Sequence, residues 1–217
     1  MRQLAAGPPL AASLALALSL AAGCASSPSK PVSLAQPAAP PPASEYVDLL
    51  KRWTRHGNLI QDFDTALNID ATFHSPEFQE VYADQWAKVY RLDPPEAARV
   101  RAQLIADIAE HYEFFAESAT HKFELNDFTS AKTVWRVSLR NDQGHEVLPS
   151  EIKLAREQPE LLTAFYPYTT VFSRGWRIRF PNVLGDKTTP LVTPETKALT
   201  LRIAGPQGSV DLVWSLK

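Results

Sequence analysis

Apolar and polar residues alternate along this chain with two periods, 3.6 and 2, and the switches between them outline its elements. After Ser44, the residues Tyr46, Leu49, Leu50 and Trp53 share one helical face, and Gly57 stands just past the predicted helix end. The period then becomes two. Phe63, Thr65, Leu67, Ile69, Ala71 and Phe73 alternate with Asp62, Asp64, Ala66, Asn68, Asp70 and Thr72, which predicts a half-buried strand over residues 62–73. Ser75-Pro76-Glu77 supplies a capping hydroxyl, a proline for the first turn and an acid for the positive end of a helix. Phe78, Val81, Tyr82, Trp86, Val89 and Tyr90 line one side of it. Asp93-Pro94-Pro95-Glu96 closes that helix and opens a longer one, with Ala97, Val100, Leu104, Ile105, Ile108, Tyr112 and Phe115 as its stripe. The short link predicts an antiparallel pair packed on a sheet.

From His121 onward the period-2 pattern dominates. Phe123 and Leu125 alternate; Trp135, Val137 and Leu139 oppose Val134, Arg136, Ser138 and Arg140; Asn141-Asp142-Gln143-Gly144 turns the chain into a strand near 147–154. A short helix is predicted around 159–164. Trp176, Ile178 and Phe180 oppose Arg177 and Arg179, and Leu199, Leu201 and Ile203 oppose Thr200 and Arg202. Gly205-Pro206-Gln207-Gly208 turns into Val210, Leu212, Trp214 and Leu216. Residues 45–217 therefore read as one α+β domain of mainly antiparallel β-structure. The expected architecture is an immunoglobulin-like sandwich with the antiparallel helix pair inserted after the first strand. An open sheet with helices on one face is the alternative.

The first 44 residues follow neither period. Leu10 to Ala22 is wholly Ala, Leu and Ser, preceded by Arg2 and by Gly7, Pro8 and Pro9, and it ends in Ala21-Ala22-Gly23-Cys24, with Cys24 the sole cysteine. The run suits the apolar region of a secretory signal and is shorter than the about 20 residues needed to cross a bilayer. It resembles the lipobox of bacterial lipoproteins, in which small residues precede an invariant cysteine; Ala21 stands where that family most often has Leu. The resemblance implies that residues 1–23 are a signal peptide removed on maturation and that Cys24 carries acyl chains that fix the protein to membrane lipid. It also implies that Ala25, in place of an Asp, directs the protein to the outer membrane. From Cys24 to Ser44 the chain is rich in Ala, Ser and Pro with Lys30 its one charge, and reads as a disordered tether.

Charge adds little. Over 217 residues the net charge is −2, which calls for no nucleic-acid partner. The five histidines, at 56, 74, 111, 121 and 145, show no metal-ligand spacing, and Glu110-His111-x-Glu113 falls within the predicted second helix as a solvated segment. Asp62, Asp64, Asn68 and Asp70 share one face of a strand too straight to wrap a calcium ion. No Gly-x-Ser-x-Gly motif, phosphate loop or dinucleotide glycine pattern is present. No catalytic residue, cofactor or metal is assigned.

Two features remain for binding. Arg136, Arg140, Arg177, Arg179 and Arg202 fall on the outward positions of their strands, so neighbouring strands would present a basic face for phosphate or carboxylate. Replacing such exposed residues should shift stability by no more than about 0.5 kcal/mol. Tyr166 and Tyr168, in Phe165-Tyr166-Pro167-Tyr168, offer an aromatic contact if exposed and a plug if buried. The reading that follows is an envelope lipoprotein with a non-catalytic binding or scaffolding domain, whose partner is an envelope protein or an anionic envelope component. A hydrolase of cell-wall or surface glycan, with acids converging from distant segments, is the alternative.

Overall fold

The computed structural model describes residues 29–61 and 64–217. The signal segment, Cys24, Ala25, Asp62 and Phe63 lie outside the described residues. The elements run α1 (Tyr46–Trp53), β1 (Thr54–Gln61), β2 (Asp64–Phe73), α2 (Pro76–Tyr90), α3 (Pro94–Glu110) and β3 (His111–Ala119). They continue with β4 (Arg136–Asn141), β5 (Glu146–Val147), β6 (Glu151–Leu154), α4 (Pro159–Phe165), β7 (Arg174–Pro181), β8 (Ala198–Gly205) and β9 (Gly208–Ser215). The protein is α+β with two antiparallel sheets, of order β1-β2-β3-β7-β6 and β5-β4-β8-β9. This order does not establish an immunoglobulin-like topology.

The two sheets meet through their apolar faces. Register pairs Phe73 with Phe114 and Phe114 with Ile178 on the inner side of the five-stranded sheet. Trp214 of β9 reaches them from the other sheet, with ring centroids 6.1 Å from Phe73 and 5.3 Å from Phe114, and its indole N–H donates to the Trp53 carbonyl at 2.9 Å. Trp53, Trp176 and Trp214 are among the largest fully buried side chains. Each aromatic removes about 150–250 Å² from water, so this layer supplies most of the driving force for closing the two sheets together.

The helix pair is set by local chemistry. Ser75 Oγ accepts from the Phe78 N–H at 3.1 Å, Asp93 Oδ1 accepts from the Glu96 N–H at 2.8 Å, and Arg91 ends α2 in the left-handed region at φ 52°. Arg101 of α3 pairs with Glu80 and Asp84 of α2, and Gln79 Nε2 donates to the Leu104 carbonyl at 3.2 Å, so the helices run antiparallel. Only α2 beds into the core, through Phe78, Val81 and Tyr82. No residue of α3 is fully buried.

Five expectations are corrected. Gly57 does not stop a helix but lies within β1, where β9 passes so close that a Cβ would run into Val210 and Leu212. A β1–β2 hairpin therefore precedes the helix pair, where a single strand was expected. Helix α3 ends at Glu110, and Tyr112 and Phe115 belong to β3, which starts with no intervening turn residue. Phe123 to Leu125 is a single 3-10 turn, not a strand. The segment expected to be a disordered tether is partly docked: Val32 forms a parallel bridge with Leu216, its N–H donating to the Ser215 carbonyl at 2.9 Å, and is buried, while Gln36 bonds Glu80. Val32 is buried in the core, Leu34 packs against it, and the Lys217 N–H donates to the Val32 carbonyl at 3.0 Å, so that stretch is seated beside the end of β9. Among the described residues no helix is long and apolar enough to cross a membrane.

Candidate functional site

The five-stranded sheet has a second face, and the side chains on it are polar. Strand alternation that sends Phe73, Phe114 and Ile178 inward sends Thr72, Phe115 and Arg177 to this face in one cross-strand row, and Glu113 and Arg179 in the next. His74, one residue past β2, joins the second row, its N–H held by the Glu113 carbonyl at 2.9 Å. Above them α2 presents Gln79, Tyr82 and Trp86, three and four residues apart and hence on one helical face. Leu104, Asp107 and Ile108 of α3 and Glu157, just before α4, complete a cleft of about 240 Å³.

Its charges are paired inside it. Arg179 Nε donates to Glu113 Oε2 at 2.6 Å, with Asp107 at 3.9 Å, and Arg177 is bonded to Glu157. Burial raises the Glu113 carboxyl, but His74, Arg179 and Arg177 outweigh it and hold the group below the usual carboxylate range. Burial lowers His74 to about 4 against the pull of Glu113, so it is neutral at pH 7 and Arg179 is the working partner of Glu113 there. Burial likewise raises Glu157, and the hydrogen bond and charge of Arg177 more than reverse it.

The His74 ring is oriented from behind. Its Nε2 lies 2.8 Å from the hydroxyl of Tyr166, which burial keeps protonated, and its Nδ1 lies 3.9 Å from Glu113 Oε1. A proton on Nδ1 faces that carboxylate and leaves Nε2 to accept from Tyr166, the arrangement electrostatics favours. Among the buried atoms of the cleft, His74 Nδ1, Gln79 Oε1 and the Tyr82 hydroxyl make no well-formed hydrogen bond; His74 faces Gln79, and the Tyr82 hydroxyl faces Tyr166 and Arg177, only at long or poorly aligned geometry. An unpaired buried polar group costs about 1–3 kcal/mol, so three in one cleft is a concentration that packing alone does not favour.

The sequence-predicted residues distribute differently. Arg136, Arg140 and Arg202 share the outer face of the four-stranded sheet, where Arg136 pairs with Glu146 and the other two share Asp211, at 2.8 and 3.3 Å. Arg177 and Arg179 stand on the other sheet, beneath the helices. The five arginines do not form one face. Tyr166 is buried, stacked on Phe115 with ring centroids 3.7 Å apart, and the Tyr168 hydroxyl bonds Thr72 at 2.7 Å, so these tyrosines plug the sheet from above and are not an exposed contact. Glu113 is buried in a strand, not solvated on a helix, and His111 lies beside it at 3.5 Å. No cluster of metal-ligating side chains occurs among the described residues.

Sequence reasoning missed His74, Gln79 and Glu113. The available signal was Gln79, a polar residue three and seven positions before Tyr82 and Trp86 of the apolar stripe and so on the same side of α2. Comparison with known protein families, with curated proteins and with solved structures finds no match.

Proposed function

We propose that this chain is a lipid-anchored protein of the bacterial envelope, held at the outer membrane by acylated Cys24, whose domain binds a small polar ligand without transforming it. The observation that carries the binding half is the cleft under α2 and α3, with its three unpaired polar atoms on His74, Gln79 and Tyr82. The anchor half rests on the small-residue run that ends at the sole cysteine. Because Val32 is pinned to Leu216, eight residue steps from Cys24, the domain sits no more than about 28 Å from its point of attachment.

The glycan hydrolase stays as the second reading because Glu113, Glu157 and Asp107 converge on the cleft. Glycoside hydrolysis needs one carboxyl kept protonated and one ionised. Glu113 and Glu157 are both shifted down, each neutralised by an arginine, so both are ionised at pH 7 and neither is a proton donor. That balance favours binding.

The test has two parts. Intact mass of protein extracted from membranes should show a chain beginning at Cys24 with added acyl mass, and Cys24→Ser should abolish it; a mature chain without acyl mass rejects the anchor. Small molecules released by denaturing the natively purified protein should include a polar compound in near-stoichiometric amount. Cleavage of glycan that is lost in Glu113→Gln would replace binding with hydrolysis.

A further inference from the structure

We infer that the cleft is built for an uncharged polyhydroxylated ring, a single sugar unit, and this rests on the reading of the cleft as a ligand site. Its size comes first: about 240 Å³ lies below the roughly 300–1,000 Å³ of sites for drug-sized ligands, room for one ring and not for a chain of them. Charge comes second. Arg177 and Arg179 are each already neutralised, by Glu157 and by Glu113, and Asp107 adds a further carboxylate, so an anionic ligand meets two paired cations and a surplus acid. A cation would have to displace an arginine from its carboxylate. A neutral ligand leaves both pairs intact.

The third consideration is the pattern of donors and acceptors. The Nδ1–H of His74 is a donor, Gln79 Oε1 an acceptor and the Tyr82 hydroxyl both, while the arginine–carboxylate pairs offer N–H groups and oxygen lone pairs side by side. A ligand that donates and accepts at every position satisfies such a lining, and vicinal hydroxyls do so. Tyr82 and Trp86, with ring centroids 6.0 Å apart, supply aromatic surface for the apolar C–H face of a sugar ring. The three unpaired atoms are closed from solvent, and Leu104 and Ile108 of α3 line the same cleft.

Titration of the full chain, followed by tryptophan fluorescence and by chemical shifts of the Trp86 indole, tests this with three groups of probes. They are glucose and N-acetylglucosamine with short N-acetylglucosamine oligomers, then inorganic phosphate and succinate, then alanine as a zwitterion. Saturable binding of the sugars is expected. Oligomers that bind while the free sugars do not would identify the end of a glycan as the source, and free sugars alone would identify a soluble one. Tyr82→Phe deletes a hydroxyl that makes no well-formed hydrogen bond, with Tyr166 and Arg177 beside it, so it should change stability little while weakening sugar binding about three- to tenfold, the range of one neutral hydrogen bond. Gln79→Leu should likewise weaken sugar binding, and should lower stability somewhat because it also removes the bond from Gln79 Nε2 to the Leu104 carbonyl. Binding of phosphate, succinate or alanine alone would overturn the sugar assignment while keeping the site. Sugar binding untouched by both variants would place it elsewhere and overturn the inference. Silence of Trp86 toward every probe would remove the cleft as a ligand site, and with it the binding function.

Discussion

Arg140 on the four-stranded sheet and Arg179 on the five-stranded sheet are almost equally exposed, at 37 % and 36 % of the side chain, and each holds a carboxylate. Their acids differ. Asp211 is 35 % exposed and shares its charge between two arginines at the surface, whereas Glu113 is 10 % exposed and lies under two helices. The same alternating pattern therefore yields a solvated ion pair on one sheet and the wall of a cleft on the other. What differs is the layer above: α2, α3 and the segment before α4 cover one face. Exposure of the cation says little about such a pair; burial of its anion decides what breaking it costs.

The largest effect expected from this contrast is on apolar packing of the covered face. Phe115 points the same way as Arg177, yet it is fully buried against Tyr166. Phe115→Ala should cost about 3–5 kcal/mol in urea denaturation, the usual price of truncating a buried aromatic. A loss under 1 kcal/mol would mean that α4 and the tyrosine segment do not cover the sheet.

The covered face should also dominate the pH dependence. Native His74 has a pKa of about 4 against 6.5 when unfolded, so its contribution is complete above pH 6.5 and is lost as the pH falls toward 4, where only the unfolded chain takes up the proton. That interval corresponds to about 3 kcal/mol. Glu117, on the same face, works in the opposite sense. Burial raises it to about 7, opposed by its hydrogen bonds from Thr170 and helped by Asp70, so its contribution is present below 4.5 and lost as the pH rises through 7. Chemical denaturation from pH 4 to 8 should therefore show a flattened slope between 4.5 and 6.5. His74→Gln should remove the acid-side loss, and Glu117→Gln the neutral-side one. A wild-type profile unchanged by either variant would place both groups in water.

How much of this was legible depends on how local each determinant is. Helix α2 was readable because Ser75, Pro76 and Glu77 carry its start within one turn. Strands β7 to β9 were readable because Trp176, Ile178 and Phe180, or Leu199, Leu201 and Ile203, alternate without interruption. Strand β3 was not: Phe114, Phe115 and Ala116 are all buried, since helices cover one side and a sheet the other, and a strand buried on both faces loses its period. Tyr112 and Phe115 also continue the helical spacing of Leu104 and Ile108, and neither glycine nor proline marks the change at Glu110. The cleft was illegible for a related reason. Alternation tells that Arg177 and Arg179 leave the core together, but not that α2 and α3 fold back over them. The expectation that replacing them costs almost nothing followed from that gap.

Arg179→Gln should then cost more than Glu113→Gln, because it strands the buried member of the pair. Removing one partner of a fully buried pair costs about 3–5 kcal/mol; with Arg179 a third exposed and His74 able to take up a proton near Glu113, about 2 kcal/mol is expected. Glu113→Gln leaves Arg179 access to water and to Asp107, and should cost about 1 kcal/mol. Equal losses in the two variants would mean that the carboxylate is as solvated as the guanidinium.

The smallest effect belongs to the open sheet. Arg140 and Arg202 both reach Asp211 Oδ2, so deleting either leaves the acid with a partner, and each of Arg140→Gln and Arg202→Gln should change stability by less than about 0.5 kcal/mol. The double variant is the informative one. Removing both arginines leaves Asp211 without a cation, but at 35 % exposure water solvates it, and the combined loss should stay under about 1 kcal/mol. Any excess of the double over the sum of the singles measures how strongly the two share the acid. Since all three groups are exposed, that excess should fade as salt is raised toward 1 M, where charges are screened within about 3 Å, whereas the Arg179→Gln loss should persist. A double variant that loses more than about 2 kcal/mol, or a loss unaffected by salt, would mean that the outer face of the four-stranded sheet is covered as well, and the contrast between the two sheets would disappear.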